Sequence, residues 1–239
     1  MRESPENHKE IELEKLVDFK YIPMIVNGSK PGCLVQLVIK DENDPIAPEE
    51  YAQEIARRYD LECIRAPSAI GNEIPEEDKY TPYAIAKKRK VSDLLAEVKL
   101  PEVPEIKDRV PKIIDEIKNM TIAEAIAYIG KIPRIDDKFD MVQEKNLERP
   151  EVTLMDGVLL GYKPCCVEHY IKKRYLDQGA ENLETFRKQS QISEYFGKYD
   201  DHELCDDCVN REYEKMQEEK HKAKGGFIDQ IRNLFGKIF

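Results

Sequence analysis

Near its start the chain carries short apolar stretches of strand length, and past residue 72 its apolar positions recur at helical spacing. Residues 19–26 and 33–40 are two such stretches, and Asn27-Gly28-Ser29-Lys30-Pro31-Gly32 between them has turn composition, so together they predict a β-hairpin. A proline- and acid-marked break at 44–48 leads into a predicted helix over 49–59, where Tyr51, Ile55 and Ala56 share a face. A third strand is expected over 61–66. These elements make a small α/β module within residues 1–80. Cys33 and Cys63 fall in its strands, where cysteine packs as a small apolar side chain.

From residue 81 the pattern predicts helices. Thr81-Pro82 opens one expected to run to 98, and its Lys87-Lys88-Arg89-Lys90 run reads as a solvated face, because no aromatic residues interleave with it. A proline-marked linker, 100–111, precedes a helix at 112–119. Thr121 with Glu124 three residues later is a capping box for a helix through Ile129. Residues 133–138 read as a loop and 139–147 as a short helix, closing a helical connecting region over 81–150. Residues 151–160 are an apolar approach, helix or short strand, to a chemistry-bearing region at 151–210. Within it, helices are expected from Pro164 to about 176 and over 182–196. A charged helix and amphipathic tail fill 211–239, broken at Gly225-Gly226; in the tail Phe227, Ile228, Ile231, Leu234, Phe235, Ile238 and Phe239 form one stripe. The predicted fold class is α+β, a small N-terminal sheet module followed by a mainly helical metal-binding region.

Four of the six cysteines and two of the four histidines lie in two short segments, Cys165-Cys166-Val167-Glu168-His169 and His202-Glu203-Leu204-Cys205-Asp206-Asp207-Cys208. These residue types bind zinc or iron–sulfur clusters as imidazole and thiolate. Pro164 suits the first helical position, where its missing N–H costs nothing. Cys165 and Cys166 then sit in the first turn, where free N–H groups and the helix dipole favour a thiolate. His169 shares a helix face with either cysteine, whereas neighbours on a helix diverge by roughly 100°. This favours Cys166, His169, Cys205 and Cys208 as a closed tetrahedral zinc site, with His202 beside it. The alternative places Cys165, Cys166, Cys205 and Cys208 on different irons of a cluster.

The Gly161-Tyr162-Lys163-Pro164-Cys165-Cys166 segment followed by the C-x-x-C of Cys205 and Cys208 resembles the signature of an uncharacterised, largely archaeal family, domain of unknown function 483, over residues 152–209. The resemblance implies no activity. The order of a Cys-Cys pair and a later C-x-x-C is also similar to the cysteine-rich domain of heterodisulfide reductase, which implies an iron–sulfur cluster. The chain departs from that pattern at Val167, where the family has glycine, and in lacking a cysteine a few dozen residues upstream of Cys165.

Composition narrows the function. A net charge of −10 and a pI near 5.1 argue against general nucleic-acid binding, which rests on neutralising phosphates. The charged start has no signal-like apolar region and no run of about twenty apolar residues follows, which predicts a cytoplasmic protein with reduced cysteines and no transmembrane segment. No glycine-rich phosphate loop or serine-nucleophile motif occurs. Three classes fit: an adaptor or interaction protein with a structural zinc ion, favoured; an iron–sulfur redox protein or enzyme subunit; and a zinc-dependent enzyme. The third needs a proton-transfer group beside the metal, for which Glu168, Glu203, Asp206 and Asp207 are at hand. The C-terminal stripe predicts a protein partner or self-association.

Overall fold

The computed structural model describes residues 11–16, 19–37, 46–66, 82–132, 149–176, 183–196 and 204–235, with side chains placed no further than Lys222. The expected loop at 133–138 and helix at 139–147 lie outside these residues. The chain divides into two compact units, Met1–Pro164 and Cys165–Phe239.

In the first unit three strands, β1 (Gly32–Gln36), β2 (Leu61–Arg65) and β3 (Pro82–Lys87), form an antiparallel sheet in the order β1-β3-β2. The middle strand is the latest in sequence. Ile85 stands opposite both Cys33 and Cys63, so these three residues form one row across the sheet. Tyr83, Ile85, Cys33, Val35 and Leu61 face a core closed by Tyr51 and Ile55 of helix α2 (Pro48–Tyr59) and by Ile22 and Ile25 of helix α1 (Tyr21–Val26).

Two expectations are corrected here. Residues 19–26 are not a strand; they contain the helix α1, and no hairpin joins them to β1. Pro23 would remove a ladder donor from a strand but costs little in the first turn of a helix, where the N–H has no intrahelical partner. Burial follows the helix, with Ile22 and Ile25 inside and Val26 41% exposed. Residues 82–87, expected within a long helix, are the middle strand β3, and only Val91–Leu95 is helical there (α3). The alanines that read as helix formers thin one face of the strand. Ala84 and Ala86 are fully buried on the face opposite Ile85, with Gly32 paired to Ala86. A Cβ at Gly32 would stand 2.7 Å from Ile126 Cδ1, so the helix carrying Ile126 lies directly on this small-residue face.

That helix, α5 (Ile122–Ile129), has its predicted capping box: Glu124 N–H donates to Thr121 Oγ1 at 3.2 Å and Thr121 N–H to Glu124 Oε2 at 2.7 Å. The segment left open between helix and strand is helix α6 (Pro150–Leu159), which packs with α5 and with α4 (Val110–Ile117) through Val152, Leu154, Met155 and Leu159. After α6 the chain turns at Gly161 with φ +73°, against the Lys30-Pro31 turn. A Cβ at Gly161 would meet Pro31 Cδ at 2.5 Å. Gly161→Ala is therefore expected to destabilise the first unit by about 2–4 kcal/mol, combining left-handed backbone strain with overpacking, as measured by chemical denaturation. A cost below about 0.5 kcal/mol, the scale of an ordinary surface change, would show that the turn relaxes freely.

The second unit is helical: α7 (Pro164–Tyr175), α8 (Leu183–Phe196) and α9 (Asp206–Phe235). The break expected at Gly225-Gly226 is absent, and α9 runs through both glycines. Each interior glycine costs about 1 kcal/mol relative to alanine but blocks no hydrogen bond, so strong helix formers on either side can carry the helix across. Among the described residues no helix is long and apolar enough to cross a membrane.

Candidate metal centre

Two helix N-termini meet at the centre of the second unit. Cys165 and Cys166 are the second and third residues of α7, after Pro164. Cys205 directly precedes α9 and its carbonyl accepts the first helical hydrogen bond, from Val209 N–H at 2.9 Å, while Cys208 lies in the first turn. The C-x-x-C thus occupies the N-cap and third helical positions. A capping box brings the same two positions together, and the spacing points both sulfurs to one side.

The four sulfurs all lie within 4.8 Å of one another. Cys165 Sγ is 3.5 Å from Cys208 Sγ, and Cys166 Sγ is 3.9 Å from Cys205 Sγ. The expected divergence of Cys165 and Cys166 does not keep them apart, because helical side chains lean toward the N-terminus and both thiols in the first turn reach over the open end of α7. Cys165 is exposed, whereas Cys166, Cys205 and Cys208 are buried with Ile192, Leu204 and Val209 and flanked by Tyr213. Four close cysteines of this kind can hold a metal ion.

The candidate histidines stand differently. His169 is half-buried on α7 and lies outside the group of four sulfurs. His202 falls outside the described residues. The structure thus brings Cys165, rather than His169, to Cys166, Cys205 and Cys208. Cys33 and Cys63 belong to the sheet. Burial, reinforced by the charge of Glu62, pushes the Cys63 thiol up to about 12, in keeping with a packing role.

Polar contacts fix the cluster. Leu204 N–H, beside Cys205, donates to Gln189 Oε1 at 3.0 Å, and Thr185 Oγ1 donates to Asp206 at 2.8 Å, so α8 clamps the start of α9. Lys188 bonds Asn210 at 3.0 Å one turn further on. Arg211 Nη2 donates to Cys208 Sγ at 3.1 Å, placing positive charge on one sulfur. Burial raises the Cys166 thiol well above its ordinary range, against a backbone hydrogen bond from Cys205 that lowers it, and the nearby Cys208 adds to the rise. Burial also takes Cys205 up to about 11. At Cys165 burial opposes ionisation, but hydrogen bonds from Cys208, Cys205 and Cys166 outweigh it and lower the pKa. Four sulfurs this close repel one another as thiolates unless a cation stands among them.

Of the acids beside the motif, Glu168 is paired with Lys172 at 2.6 Å, Asp206 accepts from Thr185 at 2.8 Å, and Glu203 falls outside the described residues. Sequence reasoning identified all four sulfurs as candidates but missed Arg211. A cation three residues after a ligating cysteine on a helix is the signal that was available, since that spacing shares a face. Comparison with family models, with curated proteins and with solved structures gives no match for this chain.

Proposed function

We propose that the second unit is organised by one zinc ion held by Cys165, Cys166, Cys205 and Cys208, and that the ion is structural. The observation that carries this reading is the mutual approach of four sulfurs within 4.8 Å. Zinc–sulfur bonds of about 2.3 Å in a tetrahedron put the sulfurs about 3.8 Å apart, close to the 3.5 and 3.9 Å pairs. An iron–sulfur cluster would interpose sulfide-bridged irons and spread thiolates bound to different irons further apart. Four protein ligands close the shell and leave no position for water or substrate, which favours a structural over a catalytic ion. A dication with four thiolates carries a net charge of −2, and Arg211 with the two helix N-termini offsets it. No disulfide joins any of the six cysteines, which suits a reducing compartment such as the cytoplasm.

In this reading the ion pins the starts of α7 and α9, and α9, thirty residues and so about 45 Å long, serves as an arm for a protein partner or a second copy. The motif likeness to domain of unknown function 483 implies no activity. Metal analysis with a visible spectrum on protein purified without oxygen tests the proposal: about one zinc per chain and no visible absorbance are expected. Iron with broad visible absorbance would replace zinc by a cluster.

A further inference from the structure

The Lys87–Lys90 run, expected on a solvated helix, instead leaves the end of β3 and divides by the strand alternation. Lys88 pairs with Asp60, while Lys87 and Arg89 line a cavity of about 430 Å³ within the first unit. Lys30 and Lys99 line the same cavity, and Glu97 is the one acid among its lining residues. Lys99 is paired with Glu102 at 2.9 Å and Arg89 with Glu97 at 3.0 Å, so the cavity keeps an excess of positive charge through Lys30 and Lys87 in a chain of net charge −10.

Lys30 and Arg89 are held in place. Lys30 is 91% buried, by the 9% exposure of the residue, with its ammonium 5.0 Å from the Tyr21 ring centre and 5.1 Å from that of Tyr162. Gly28, with φ +81°, leaves open the space beside Lys87 Nζ, which would stand 3.7 Å from a Cβ there. No carboxylate pairs with Lys87 among the described residues. Arg89 Nη1 bonds Glu97 at 3.0 Å, whereas its Nη2 is buried without a hydrogen-bond partner. A buried guanidinium N–H left unmade costs free energy that an acceptor oxygen would recover. Leu94, Val98 and Val158 supply apolar wall, and the volume is that of a small-molecule site.

We propose that this cavity binds a small phosphorylated molecule, with Arg89 and Lys87 on the phosphate and Lys30, capped by the two tyrosines, completing its charge. The site is separate from the cysteine centre and stands whether or not that centre holds zinc. Phosphate is favoured over a carboxylate because three cations, Lys30 from the Asn27–Pro31 turn and Lys87 and Arg89 from the end of β3, line one cavity. That arrangement matches the several oxygens of a tetrahedral group better than the two of a planar one.

Isothermal titration of the full-length protein with ribose 5-phosphate, inorganic phosphate and succinate is the test. One-site binding of ribose 5-phosphate is expected, with inorganic phosphate competing and affinity falling as salt rises. Lys87→Gln and Arg89→Gln should each weaken it about tenfold or more, while Lys88→Gln, which pairs with Asp60 and does not line the cavity, should not. Should Arg89→Gln fail to fold, Lys87→Gln at the open end of the strand carries the comparison, with its circular dichroism checked against the parent. Absence of binding at millimolar ribose 5-phosphate, equal binding by the Lys87 variant, or preference for succinate would each overturn the proposal.

Discussion

Replacing Cys208 with serine is expected to remove the metal and unfold the second unit while leaving the first intact. Among the described residues the second unit buries few apolar side chains: Val167, Ile171, Ile192, Leu204, Val209 and Met216 with three cysteines. Such a core cannot by itself order three helices against their conformational entropy. In small zinc modules the binding free energy is folding free energy, on the order of 10 kcal/mol or more. Cys208→Ser should thus lose most of its zinc and much of the helical circular dichroism of α7, α8 and α9. The core of the first unit, built on Tyr51, Ile55, Ile85 and Leu61, contains none of the four sulfurs and should keep its own melting transition. A variant that retains one equivalent of metal and the parental melting profile would show that Cys208 is not a ligand.

The second large effect separates the two four-ligand sets. With all four sulfurs around one ion, Cys165→Ser and Cys166→Ser should each lose the metal to a similar degree, and His169→Ala should keep it. Exposure makes this informative: Cys165 is the exposed member of the group, so its loss removes little packing, and a large effect there reports coordination. By contrast Cys166 is 2% exposed, and part of its effect comes from the core. Metal retention by Cys165→Ser together with metal loss from His169→Ala would restore the mixed cysteine and histidine site.

The sequence and the structure part company where local pattern and tertiary context compete. The capping box at Thr121 and Glu124 was readable because both partners lie within one helical turn. The cysteines were readable because few roles other than metal binding use that density of thiols at those spacings. The strand β3 was not, since Ala84 and Ala86 are small only because α5 lies on them, a contact made by residues some forty positions away. Likewise α1 looked like a strand because an apolar run is ambiguous by periodicity alone, and Pro23 was the discriminating residue. The choice between His169 and Cys165 turned on how far side chains in a first helical turn reach past its end. A helical-wheel projection flattens that axial reach away.

X-ray absorption at the zinc edge of the purified protein measures the central claim most directly. The account predicts a single shell of four sulfurs at about 2.3 Å, with no nearer nitrogen or oxygen and no metal–metal vector. A nitrogen ligand at about 2.0–2.1 Å, or an iron edge with a metal–metal scatterer in place of zinc, would contradict it.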